Sequence, residues 1–353
     1  MSHSSCRRHA LGERVRCRRG LEAGAAVGRA PIHDESKMQP PQPHYPPSAD
    51  QGRRARVIIA VCTFRRNDLL RNLMRASLVA AAEARDRAAV GIIVVDDDPQ
   101  AGARRVTLEF DGRFELGVHY RVSGRQNVSL ARNLAIDDGA QLGDWVAMID
   151  DDCEPTPRWL VAHLEAQELT GCDSTTGAML LKAPPGAPAW LTDEPFYVDY
   201  IVAGKHLELV KATGTNNVMI RSAWLAAHPE IRFREDLGRS GGEDWVFFRT
   251  ARKAGLDLRF SNDATVIGHE SANRATWRYQ IKNRFWLGNT EWRVGTIIKD
   301  RTHAGLLRRG VERLASSLVR LVRDLPRYHY SVANVARSVG FLAGAVGVRM
   351  PHH

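Results

Sequence analysis

Cysteine is scarce: five in 353 residues, at positions 6, 17, 62, 153 and 172, an odd and widely spaced set with no Cys-x-x-Cys pair. That pattern gives neither a disulfide framework nor a thiolate zinc site, and it suits a reducing cytoplasm. No uninterrupted apolar run approaches the ~20 residues that span a bilayer. The N-terminus has arginines but no apolar stretch behind them, so it does not read as a secretory signal. The first apolar strand is followed by Thr63-Phe64-Arg65 rather than Gly-x-Gly-x-x-Gly, which argues against a Rossmann dehydrogenase; a phosphate loop is missing too. Internal repeats are also missing.

Acidic residues are short by ten against basic ones, and the excess is localised. Residues 1–56 hold 11 basic and 5 acidic side chains and residues 291–353 hold 11 and 4, which leaves −3 for residues 57–290. An acidic centre is a poor footprint for gripping phosphate backbones, so no nucleic-acid partner is expected.

Hydrophobic residues make up 44% and charged residues 25%, enough for a sizeable core. Residues 1–55 are rich in Arg, Gly, Pro and Ser, with a Pro-rich run from Pro40 to Pro47. They are expected to be a disordered leader, or in part an artefact of translation starting at Met38. From 56 to 290 the pattern alternates. Strands are expected at Arg56–Cys62, Val90–Val95, Val118–Val122 and Trp145–Ile149. Helices should follow, one capped by Asn67 or Asp68, one opening after Asn127, and one with Thr156 as N-cap and Pro157 as first helical residue. Such alternation predicts an α/β fold with a Rossmann-like, mostly parallel, doubly wound sheet. Further strands are expected at Thr175–Leu181, Asn217–Ile220 and Ala264–Gly268, with helices from Glu243 and from Arg274 to Glu291. Residues 291–353 form a basic helical extension. Between Leu306 and Val348, apolar residues alternate with Arg308, Arg309, Arg313, Arg320 and Arg323, as in amphipathic helices that pack on the main domain or lie on an anionic membrane.

Ligands of open α/β sheets bind outside the carboxyl ends of the strands. Here those ends are acidic: Asp96-Asp97-Asp98 and Asp150-Asp151-Asp152. The second run suits a hard divalent cation, Mg²⁺ or Mn²⁺, or else a solvated turn. The first suits a nucleoside or an Asp-Pro loop. His269 is a candidate third metal ligand. Arg274, Arg278 and Arg284 could face a diphosphate or solvent, and Trp190 and Trp245 an acceptor or the core.

The order of these motifs resembles family 2 of the glycosyltransferases, which have the GT-A fold. Cys62-Thr63-Phe64-Arg65-Arg66 is similar to the opening motif at the nucleotide, with Arg65 where many members have Asn. Val94-Val-Asp-Asp97 resembles the base-reading motif, Ser129-Leu-Ala-Arg132-Asn133 the helix beside the donor, and Asp150-Asp-Asp152 the Asp-x-Asp signature. Gly241-Gly-Glu-Asp-Trp245 resembles the motif whose aspartate is the base of inverting members. More narrowly, the set is similar to glucosyltransferases of the succinoglycan pathway. The resemblance implies nucleotide contacts from Thr63, Arg65, Asp97, Arg132, Asn133 and Asp150. It implies metal ligation by Asp152 and Asp150, and catalysis by Asp244. A nucleotide-sugar donor and a glycan or lipid-linked acceptor follow, with the protein in the cytoplasm or peripheral on the inner face of the membrane. A metal-dependent nucleotidyltransferase and a non-enzymatic binding protein are the alternatives.

Overall fold

A computed structural model describes residues 53–197, 204–299, 301–324 and 327–350. The expected leader and the Met38 start lie outside these residues. β1 (Ala55–Thr63) and β2 (Ala88–Asp96) are β-branched apolar runs, and every residue of β2 is buried, as a strand covered on both faces must be. β2 pairs parallel with β1 and with β3 (Val118–Val122), and β1 pairs parallel with β4 (Trp145–Asp150).

Beyond β4 the sheet continues through β5 (Cys153–Pro155), β6 (Ser174–Lys182), β7 (Val218–Arg221) and β8 (Leu258–His269) in the spatial order β3-β2-β1-β4-β7-β6-β8-β5. β7 runs antiparallel to both β4 and β6, β8 parallel to β6, and β5 antiparallel to β8. Parallel pairing prevails among the described strands, as expected. β5 was not expected, and β8 starts six residues before the predicted Ala264.

Alternate residues along β1 separate the two faces. Val57, Ile59 and Val61 pack with Leu70, Leu73 and Met74 of α1 (Asn67–Glu83) and with Trp159 and Leu160 of α4 (Trp159–Thr170). Ile58 and Ala60 pack with Ala131 and Ala135 of α3 (Val128–Leu142), on the side of Phe247 and Phe248 of α7 (Glu243–Lys253). Short helices α2 (Arg104–Leu108), α5 (Ala189–Asp193) and α6 (Ser222–Ala227) fill the connections.

Two helix starts differ from expectation. Asn67 does not cap α1: its amide donates to Gly102 O at 3.0 Å, and Arg66 holds the cap position. α4 opens at Trp159 because Thr156 is bound to Thr265 of β8 through both its amide and its hydroxyl. Asn127 does cap α3, accepting from Leu130 N.

Three long helices end the chain: α8 (Trp277–Ile297), which runs through the border expected at residue 290, then α9 (His303–Arg323) and α10 (Tyr328–Ala345). α8 and α10 meet through glycines. A Cβ on Gly288 would lie 1.8 Å from Arg337 O, and one on Gly340 would lie 2.0 Å from Phe285 O. The Glu291 carboxylate of α8 accepts from Arg337 Nε at 2.9 Å and also pairs with Arg313 of α9. Burial opposes its ionisation, yet Arg337 and Arg313 hold its pKa below the usual range. Because the glycine contacts are with backbone, Gly288→Ala is expected to cost about 3 kcal/mol and lower Tm by roughly 6 °C or more, read by thermal denaturation.

Candidate functional site

The chain winds from β1 through β2 to β3 on one side, then returns to place β4 on the other side of β1. The strand order therefore reverses between β1 and β4, where Cys62 pairs with Asp150, and the crevice at the carboxyl ends of these strands is the natural ligand site. Thr63 closes β1 and Asp150 closes β4.

The three aspartates after β4 have different surroundings. Asp151 is buried, accepting from Thr63 Oγ1 at 2.8 Å and from Arg66 Nη1 at 2.9 Å. Burial pushes its carboxyl up to about 6, and Arg66 opposes the shift. It orders the β1–α1 turn. Asp152 accepts a longer bond from Arg66 Nη1, 3.3 Å, and Arg274 Nη1 stands 3.9 Å away. Burial and then repulsion from Asp150 raise its pKa, while Arg66 and Arg274 counter them. Asp150 accepts from Thr215 Oγ1 and from Arg132 Nη2, both at 3.3 Å.

Asp150 and Asp152 keep 39% and 24% of their side-chain surface open. Two partly open carboxylates side by side fit a hard divalent cation, which takes one or two protein carboxylates and fills its remaining positions with phosphate oxygens and water. His269 lies across from Asp152, its backbone N donating to Asp152 O at 3.1 Å, while its Nε2 lies 3.3 Å from Glu154 Oε1; among the described residues no three His, Cys, Asp or Glu gather as a metal cluster. Antiparallel pairing of β5 with β8 places His269 against Glu154, and the short β5 gave no sequence signal of it.

The β2 end is divided in the same way. Asp96 is structural, accepting from Asp98 N, Ala103 N and the Tyr120 hydroxyl. Asp97 Oδ1 accepts from Ser123 Oγ at 2.5 Å and from Arg125 N at 3.3 Å. Arg65 sits at φ +55°, a left-handed region costing an L-residue about 1 kcal/mol or more. Its guanidinium bonds both oxygens of Asp98 at 3.3 Å and lies over the Phe64 ring. Strain of this kind, maintained by a neighbour, concentrates at ligand clamps.

Arg132 joins the two halves of the crevice. Nη1 donates to Glu243 Oε1 while Nη2 donates to Asp150 Oδ1. Burial opposes its charge, but Glu243 and Asp150 outweigh that cost and raise its pKa. Asn133, expected beside the donor, is instead buried and bound by both amide atoms to the Phe233 backbone at 2.9 Å. It clamps α3 to the 233 loop.

Asp244 follows Glu243 in the first turn of α7, where the helix dipole favours the anion. Burial and then the Glu243 charge prevail, raising its carboxyl to about 7, although Arg132 pulls the other way. A Cβ on Gly214 would lie 3.3 Å from Asp244 Oδ2, so glycine there leaves one face of that oxygen open. An acid poised near neutrality in a cleft is suited to general-base work.

The three arginines after β8 diverge. Arg274 lies near Asp152 and Glu270, Arg278 is exposed, and Arg284 is fully buried against Phe196 and Tyr330. Trp190 packs against Phe196, Trp277 and His329, and Trp245 against a cluster of Leu237, Val246, Val294 and Ile298, so both serve the core. Sequence reasoning missed Arg66, Glu243 and Thr215. Arg66 lay within the quoted Thr63 motif and Glu243 beside Asp244, while Thr215 had no local signal. The described cysteines, Cys62, Cys153 and Cys172, are free thiols, and burial pushes the Cys62 thiol up to about 12.

Residues 58–225 match the family described as Glycosyl transferase family 2. The chain is 31% identical over 245 residues to the succinoglycan biosynthesis protein ExoM of Rhizobium meliloti (strain 1021), covering 69% of this chain and 76% of that protein. Among solved structures, S. aureus TarS 1-349 in complex with UDP aligns with TM-score 0.48 and 12% identity over 83% of this chain and 92% of that one. S. aureus TarS aligns with TM-score 0.49 and 13% identity over 82% and 55%.

Proposed function

This chain belongs to family 2 of the glycosyl transferases, and from that premise we propose that it is an inverting, metal-dependent transferase moving a sugar from a nucleoside diphosphate to an acceptor hydroxyl. Membership displaces the nucleotidyltransferase and binding-protein alternatives. The succinoglycan relative supports a role in polysaccharide assembly, for which we propose a glycan or lipid-linked acceptor.

The observation carrying the reading is the Arg132 bridge between Asp150 and Glu243, which ties the strand-end carboxylates to the turn bearing Asp244. Asp150 and Asp152 would hold a divalent cation, which when bound supplies Lewis-acid stabilisation to the departing diphosphate. The guanidiniums of Arg66 and Arg274, beside Asp152, would donate to phosphate oxygens. Thr63, Arg65 and Asp97 line the nucleoside side. Asp244 takes the acceptor proton as its oxygen attacks the anomeric carbon, and the bond to the diphosphate breaks on the opposite face. One carboxylate serving the acceptor, with no second one as nucleophile, gives single displacement and inversion.

The test is nucleotide release from a panel of nucleotide sugars with and without Mn²⁺ or Mg²⁺. One donor is expected to be turned over only with metal, and Asp152→Ala to lower that turnover by about tenfold or more. Turnover of the donor in chelator at the full rate would overturn the metal assignment; failure of every nucleotide to bind by calorimetry would overturn the donor assignment.

A further inference from the structure

Two consecutive glycines precede the acid pair of α7. Gly241 and Gly242 lie at φ +81° and +87°, a region other residues avoid, and Gly242, as the cap of α7, brings no side chain to fix the helix start. Glycine has the widest backbone freedom of any residue, so such a turn is a loose joint unless something outside it holds it. Asp244 stands two residues beyond that joint.

What holds it comes from α8. Trp286, Thr290 and Arg293 follow at spacings of four and three residues and so share one face of that helix. Trp286 Nε1 donates to Ser240 O at 3.0 Å, and Arg293 Nη2 donates to Ser240 O at 3.0 Å and to Gly241 O at 2.6 Å. The same face closes on the glycines: a Cβ on Gly241 would run into the Trp286 ring, and one on Gly242 would lie 2.6 Å from Thr290 Cγ2. Val294, beside Arg293, packs with Leu237 and with Val246 of α7. Another face of α8, with Phe285, Gly288 and Trp292, is packed on α10, so the brace is itself braced.

We infer that Arg293 and Trp286 are positioning residues: by gripping the Ser240 and Gly241 carbonyls they set the direction in which Asp244 presents its carboxylate. α8 thereby completes the catalytic centre from beyond residues 58–225, the part that matches the family. This deepens the assignment of Asp244 as base and rests on it. The two side chains act through the turn, and a reacting group misplaced by about 1 Å loses on the order of 10²-fold in rate even with all its chemistry present. A brace that served stability alone would lower Tm and leave kcat unchanged wherever the chain is folded.

Arg293→Met, Arg293→Lys and Trp286→Phe in the full chain separate these roles. kcat and KM are read from nucleotide release by the nucleotide sugar that the donor panel identifies, well below the melting range. Arg293→Met is expected to lower kcat by about 10–10²-fold with the donor KM unchanged, because the nucleoside side at Thr63, Arg65 and Asp97 is untouched. Arg293→Lys should recover most of the loss: a single nitrogen, Nη2, serves both carbonyls, and an ammonium with three N–H groups can do the same. Trp286→Phe keeps a ring against Gly241 and removes the donor, so its kcat should fall in the same direction by less. Hydrogen exchange, which needs no substrate, should quicken at residues 238–246 in Arg293→Met and stay unchanged in β1 to β4.

Wild-type kcat in Arg293→Met and Trp286→Phe beside an inactive Asp244→Asn overturns the inference and leaves the base standing; an Asp244→Asn with full rate overturns the base and the inference with it. A loss carried by KM, a loss that Arg293→Lys does not recover, or unchanged exchange at the turn also overturns it. If Arg293→Met does not fold, Trp286→Phe decides by the same kcat and exchange readouts.

Discussion

Asp244→Asn is expected to lower the rate of sugar transfer by about 10²–10⁴-fold while leaving nucleotide binding by calorimetry intact, since the amide keeps the shape but cannot take a proton. The pH profile adds a readout that a merely structural residue would not produce. In the wild type the carboxyl is raised to about 7, by burial first and Glu243 second. A base acts as its anion, so activity falls tenfold per pH unit below about 7 and levels off above it. A flat profile between pH 5.5 and 8.5 together with a nearly active Asp244→Asn would leave Asp244 as no more than a dipole partner for α7.

Arg132→Met is expected to cost about 3–5 kcal/mol in urea denaturation, because it leaves the buried Glu243 carboxylate without its cation. Glu243→Gln on the same chain should return most of that loss, since an amide needs no counter-charge. Arg132 also lowers the Asp244 pKa, so its removal should move the acid limb of the activity profile upward from about 7. The double variant should keep stability while catalysis stays impaired, which separates the structural share of the bridge from its share in the reaction. If Arg132→Met alone melts like the wild type, the pair is not the tie between the two halves of the crevice.

How legible the protein was depended on how local each signal is. β2 was readable because Val90–Val95 is β-branched at every position but Gly91, and α3 because Asn127 caps it three residues before Leu130. β5 was not. Three residues ending in proline have no strand character until β8 offers an edge, and that same pairing turned His269 toward Glu154. Asn133 stood in a motif that implied a donor contact, but its partner Phe233 lies 100 residues away, and no local pattern announces such a bond. Arg284 had the spacing of a surface arginine and is held inside the core by Phe196 and Tyr330.

The sequence by itself determined the alternating α/β order, the carboxylates at the ends of β2 and β4, and the ordered motifs that identify the family, because strand periodicity, capping and motif spacing act within a few residues. Only the tertiary structure decided which of those carboxylates remain open: Asp96 and Asp151 are turned to backbone and turn, while Asp150 and Asp152 stay partly exposed. It also decided that Arg132 bridges to Glu243, 111 residues along the chain. The reason is physical: a buried charge must find its counter-charge wherever the fold brings one, and the fold is a property of the whole chain rather than of any motif.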